Sequence, residues 1–161
     1  MSAPAGPTSS SANSADPGPG PGIDPRGPRF GAAITTVVLA IALLTGSFWV
    51  LLAQAVVFAV SSALGVRRSP YGYLYATFVR PRLGPPAELE DPAPPRFAQT
   101  LGLIVTGLGL VVALAGVDLA VEVSAALALV AAFLNAVFGL CLGCELYLLI
   151  ARARGPRPAI G

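Results

Sequence analysis

Residues 30–65 read FGAAITTVVLAIALLTGSFWVLLAQAVVFAVSSALG, a run without a single charged side chain. As one helix it would measure roughly 54 Å at ~1.5 Å per residue. A bilayer's hydrocarbon core is only about 30 Å thick. The stretch therefore predicts two apolar helices, 30–45 and 48–65. They turn at Thr45-Gly46-Ser47, where a glycine can close one helix and a hydroxyl can cap the next.

The next segment, 66–96, has the opposite character, with five arginines, seven prolines and the acids Glu88, Glu90 and Asp91. It reads as a loop outside the hydrocarbon. Tyr71 to Phe78 is expected to form a short interfacial helix, since tyrosine favours headgroup depth. Gly84 to Pro95 is expected as extended, polyproline-like chain. Two further apolar spans follow, 97–116 and 119–151, joined at Gly116-Val117-Asp118 with Asp118 as the expected N-cap. The last is roughly 49 Å long by the same rise, so it must tilt or bend, and Gly139 and Gly143 are the places for a bend. Residues 1–28, rich in Ser, Pro and Gly, have no apolar groups to offset ordering and are expected to be disordered. They do not read as a signal peptide, because the apolar run after Arg26 and Arg29 is too long. Residues 153–161 form a short tail.

The expected fold is thus all-α: an integral membrane bundle of four transmembrane helices filling residues 29–152. Composition agrees, with 55% hydrophobic and 11% charged residues, against roughly 25% charged in soluble domains. Four spans put all ten arginines on one side: Arg26, Arg29, Arg67, Arg68, Arg80, Arg82, Arg96, Arg152, Arg154 and Arg157. The positive-inside rule makes that side cytoplasmic, with both termini there and the plasma membrane as location. Three or five spans would divide the arginines.

The absences exclude chemistries. There is no histidine, so imidazole cannot ligate a metal or serve as a base. There is no phosphate loop, dinucleotide fingerprint or metalloprotease motif, and no cofactor is expected. No long basic run gives a nucleic-acid footprint.

Chemistry concentrates in Gly139-Leu140-Cys141-Leu142-Gly143-Cys144-Glu145, which holds both cysteines. Three readings overlap there. Gly139 and Gly143, continuing Ala128, Ala132 and Ala136, make a small-residue stripe on which a helix of a partner or a second copy could pack. Cys141 and Cys144, three apart, share a helix face within disulfide range, and Glu145 sits on that face as a buried acid, able either to accept a thiol proton or to form a structural ion pair with Arg152 or a loop arginine at the membrane edge. Two thiolates and a carboxylate could also be part of a zinc or copper(I) site, whose remaining ligands would come from another chain; no metal site is assigned within this one. Gln54 and Asn135, polar and at mid-depth, are expected to hydrogen-bond each other.

Three stretches together resemble a known family: Ile23-Asp24-Pro25-Arg26-Gly27-Pro28-Arg29-Phe30; Arg67-Arg68-Ser69-Pro70-Tyr71-Gly72 with Arg80-Pro81-Arg82-Leu83-Gly84-Pro85-Pro86-Ala87-Glu88-Leu89-Glu90-Asp91; and Asn135-Ala136-Val137-Phe138 running into the Cys-x-x-Cys-Glu motif. They are similar to the bacterial, largely actinobacterial membrane family called domain of unknown function 4395, over residues 23–152. The family has no established activity. The resemblance implies a thioredoxin-like or sulfurtransferase partner. Three functions follow as expectations: thiol-disulfide or sulfur handling through Cys141, Cys144 and Glu145; a non-enzymatic membrane scaffold or accessory subunit; and a transporter of small sulfur compounds.

Overall fold

A computed structural model describes residues 22–86 and 88–154. Most of the expected disordered tail, and the end of the C-terminal tail, lie outside them. The described chain is all-α, with helices α1 (Arg26–Thr45), α2 (Phe48–Leu64), α3 (Pro70–Leu74), α4 (Ala93–Leu114), α5 (Ala120–Phe138) and α6 (Leu142–Ala153). Among the described residues the only strand-like feature is an isolated antiparallel bridge between Ile23 and Glu90. Three helices, α1, α4 and α5, are long and apolar enough to cross a membrane, and α2 is an apolar helix of 17 residues.

The α1–α2 turn forms as its residues dictate. Gly46 takes the left-handed conformation (φ 58°) that ends α1. Ser47 Oγ then accepts the Val50 N–H at 3.4 Å and starts α2.

Other boundaries differ from the sequence expectation. α1 begins at Arg26, because Asp24 Oδ1 accepts the Arg26 N–H at 3.0 Å and Pro28 falls in a first turn that needs no N–H. α4 begins at Ala93, so Pro94 and Pro95 are helical rather than extended, for the same reason. Asp118 is not the cap of α5: Leu119 holds that position without a side-chain bond. Tyr71 to Phe78 is helical as expected, as α3 followed by a π-turn over Tyr75–Val79. The largest correction concerns the fourth expected helix, 119–151, which is two helices, α5 and α6, separated at Gly139.

α1, α2, α4 and α5 alternate in direction. At one end Arg96 donates to the Ser62 and Ala63 carbonyls that close α2, and Arg26 to the Gly84 carbonyl. The C-terminus of α5 also lies there, with Gly139 beside the Arg29 guanidinium. At the other end the Gly46 turn meets Glu122 in the first turn of α5. α1 packs chiefly on α5, and α2 on α4.

The core is built of small and aliphatic residues, Leu39, Ala42, Leu51, Ala55, Leu110, Val121, Ala125 and Ala128. At the α4–α5 crossing, a Cβ on Gly109 would collide with the Ser124 side chain. Such close approach is how helices associate where lipid removes the hydrophobic driving force. Large apolar residues point outward instead, among them Leu44, Trp49, Leu108 and Phe138. Most helix hydroxyls bond their own backbone: Thr36, Thr45, Ser61, Thr106 and Ser124 each donate to the carbonyl four residues earlier.

A latch closes the arginine end. Ile23 and Glu90 exchange backbone bonds of 2.8 and 2.9 Å, and the Tyr75 hydroxyl donates to Asp24 Oδ2 at 2.7 Å. Burial, then the bond to Asp24 and its charge, push the Tyr75 phenol up to about 12. The folded state thus holds this proton more tightly than the unfolded chain, whose tyrosine titrates near 10. The latch's contribution should be whole below pH 10 and fade as pH rises towards 12. Thermal unfolding of Tyr75→Phe should lack this alkaline decline; equal pH profiles for the two proteins would refute the assignment.

Candidate functional site: a cysteine pair at the start of α6

α5 ends because Gly139 adopts φ 69°, with its N–H returning to the Asn135 carbonyl at 3.1 Å. Leu140 and Cys141 leave the helix, and Cys141 becomes the extended N-cap of α6 (φ −87°, ψ 95°). Its sulfur accepts the Cys144 N–H at 3.3 Å. Cys141 and Cys144 are disulfide-bonded, with Cα atoms 5.1 Å apart. The two cysteines are therefore close, as their spacing predicts, but across a helix start rather than along one helix face.

α6 spans 12 residues, about 18 Å, too short to cross a bilayer. It lies over the first turns of α4. Gly143 sits against Ala98, where an added Cβ would be 2.6 Å from the Ala98 Cα, and Phe97 and Tyr147 pack with ring centroids 5.6 Å apart.

The break redistributes the expected site residues. Glu145 is exposed in the first turn of α6, so it is not the buried acid the sequence reading placed inside the bundle. Gly139 and Gly143 do not continue one stripe with Ala132 and Ala136: Gly139 is a helix cap, Gly143 faces α4, and Ala132 stays on α5 against the core. Among the described residues no three Cys, Asp or Glu side chains gather closely enough to hold a metal ion. Gln54 is fully buried, but its partners are not Asn135. Its Oε1 accepts from the Tyr71 hydroxyl at 2.8 Å, and its Nε2 donates to Thr35 Oγ1 at 3.4 Å. Burial raises the Tyr71 phenol above its ordinary value, so it remains the donor in this chain.

Cys141 stands between two clefts. One, of about 390 Å³, opens at the arginine end and is lined by Arg29, Asp91, Asn135, Glu145 and both cysteines. The other, of about 310 Å³, runs into the bundle between α1, α4, α5 and α6 and is mostly apolar, with Ala32, Thr35, Phe58, Val105, Asn135 and Cys141 among its lining residues. Asn135 is expected from the sequence as a polar residue within the spans; Thr35 and Tyr71 are not. The Thr35-Thr36 pair interrupts an apolar run and was the available signal, but sequence alone does not tell which hydroxyl closes on its own helix.

When the pair is reduced, the first-turn amides of α6 favour negative charge on Cys141 Sγ, the arrangement that makes a thiol nucleophilic. Fold and site together define a class: an all-α bundle, with helices able to cross a membrane, bearing a cysteine pair at the head of a short helix laid over its end. The chain belongs to the family described as Domain of unknown function (DUF4395), whose model matches residues 23–152. No match was found among curated proteins or solved structures.

Proposed function

We propose that this chain is an integral protein of the bacterial plasma membrane, crossing it four times through α1, α2, α4 and α5, and that Cys141 and Cys144 perform thiol–disulfide exchange at its cytoplasmic surface. The outward-facing apolar residues and the gathering of arginines at one end support the topology. The observation that carries the chemistry is Cys141 as N-cap of α6, its sulfur accepting the Cys144 N–H, with clefts on both sides.

In exchange, the Cys141 thiolate attacks one sulfur of a partner's disulfide, and the partner's other sulfur leaves as a thiolate. Cys144 loses its proton and attacks Cys141, closing the pair and releasing the partner fully reduced. Glu145 shares the cleft at the arginine end with both sulfurs and is assigned to take up the Cys144 proton. A thioredoxin-like or sulfurtransferase protein fits as partner. Cytoplasmic thiols are normally kept reduced, so a disulfide on that side is transient and catalytic.

The test is the redox state of the pair in cells, trapped by acid quench and read as an alkylation mass shift. A mixed population that shifts on oxidant challenge and then recovers is expected. A fully reduced pair that ignores oxidant would overturn the reading and favour a non-enzymatic scaffold.

A further inference from the structure

The apolar cleft beside Cys141 contains one polar group that departs from the rest of the bundle. The other helix hydroxyls described above donate to their own backbone. Thr35 does not. It is 5% exposed and lines the cleft, and its oxygen is already taken as an acceptor by Gln54 Nε2. Its proton has no acceptor among the described residues. The bonds behind it run one way: Tyr71 O–H to Gln54, Gln54 N–H to Thr35. Each donor polarises the next, so the chain strengthens Thr35 as a donor towards the cleft. A buried hydroxyl of this kind calls for an acceptor, and an apolar ligand bearing a carbonyl supplies one.

The second observation is the cysteine pair on the same cleft. A reduced pair can be closed by any acceptor of two electrons and two protons. The lipid-soluble class that combines such capacity with carbonyl oxygens is the quinones. A cleft of about 310 Å³ falls at the lower end of the ~300–1,000 Å³ of small-ligand sites, room for a ring with its chain left in lipid.

We propose that an isoprenoid quinone binds in the cleft between α1, α4, α5 and α6, one carbonyl accepting a hydrogen bond from the Thr35 hydroxyl, and oxidises the Cys141–Cys144 dithiol. The reaction balances without a further reactant. Two S–H bonds break and one S–S bond forms; two electrons and two protons pass to the quinone, whose carbonyl oxygens become the hydroxyls of a hydroquinone. The inference rests on the thiol–disulfide reading and sets its direction: the exchange steps run in reverse, a partner dithiol reducing the Cys141–Cys144 disulfide and leaving as a disulfide, and the quinone then takes the two electrons from the reopened pair.

The test uses the full chain, reduced and freed of reductant, in phospholipid nanodiscs with decylubiquinone, a ring-substituted quinone that thiols do not readily add to. Hydroquinone formation is followed by absorbance and dithiol loss by alkylation mass shift. One hydroquinone should form per pair oxidised. Thr35→Val should slow this about tenfold, the scale of one lost hydrogen bond, and Thr35→Ser should restore it, a rescue that a general packing defect would not give. A dithiol that glutathione disulfide oxidises but decylubiquinone does not would overturn the quinone inference and leave the exchange reading standing. Equal quinone rates in wild type and Thr35→Val would overturn the assigned site. A pair that neither oxidant closes would sink both readings, leaving the cleft to phospholipid.

Discussion

Cys141→Ser should slow reaction with glutathione disulfide at least ~10²-fold, whereas Cys144→Ser should still react and then stop at a stable mixed disulfide. The asymmetry comes from the start of α6. Cys141 is the N-cap, its sulfur held at the helix amides by the Cys144 N–H, while Cys144 lies within the first turn. Only a thiolate attacks a disulfide, so removing the activated sulfur should lower the rate by at least ~10²-fold. Removing Cys144 leaves its backbone N–H in place, so the first attack survives and only resolution is lost. Mass spectrometry of the alkylated proteins separates these outcomes. Two single variants that behave alike would contradict the assignment of Cys141 as the attacking sulfur.

Gly143→Val should detach α6 from α4. A Cβ at this position would lie 2.6 Å from both the Cα and Cβ of Ala98, and 3.4 Å from its nitrogen. These are largely backbone atoms of a long helix, which cannot swing aside as the end of a flexible side chain would. Overpacking of this kind destabilises by about 1–3 kcal/mol, and here α6 can escape by lifting away. The Phe97–Tyr147 packing goes with it, and the reduced cysteines should alkylate several-fold faster while the four long helices persist. Alkylation kinetics and thermal unfolding of the same sample report the two effects. Unchanged alkylation would mean that Gly143 does not moor α6.

The bundle was legible because its signal is long-range and redundant: uncharged runs, a Gly-Ser break at 46–47, and arginines gathered in the segments between. The Ser47 cap and the helical character of Tyr71 to Phe78 followed from local chemistry. The first turns did not, because Pro28, Pro94 and Pro95 look like helix breakers until they are placed where no N–H is needed. The site was half legible. Cys141 and Cys144 are near each other by spacing alone, but continuing α5 through Gly139 put Glu145 deep in the bundle, when it is exposed. Whether a glycine in an apolar helix bends it, ends it or packs it depends on its surroundings. Gly139 and Gly143, four residues apart, do two different things. Gln54 called for a polar partner, and sequence offered Asn135; the real partners, Thr35 and Tyr71, come from an adjacent helix and the following loop.

The pairing of α1 with α5 and of α2 with α4 bears on how the protein is made. The first two helices leave the ribosome well before the two they pack against. If the helices insert as proposed, insertion and association are then separate events in time. On the proposed topology the early hairpin would wait in lipid with Thr35 and Gln54 facing hydrocarbon, each the other's partner until Tyr71 arrives. Closing the Ile23–Glu90 bridge is possible only once the loop before α4 has emerged. The segment that brings the cysteines follows α5 in the chain, so the pair takes up its position over α4 only after every helix of the bundle has been made.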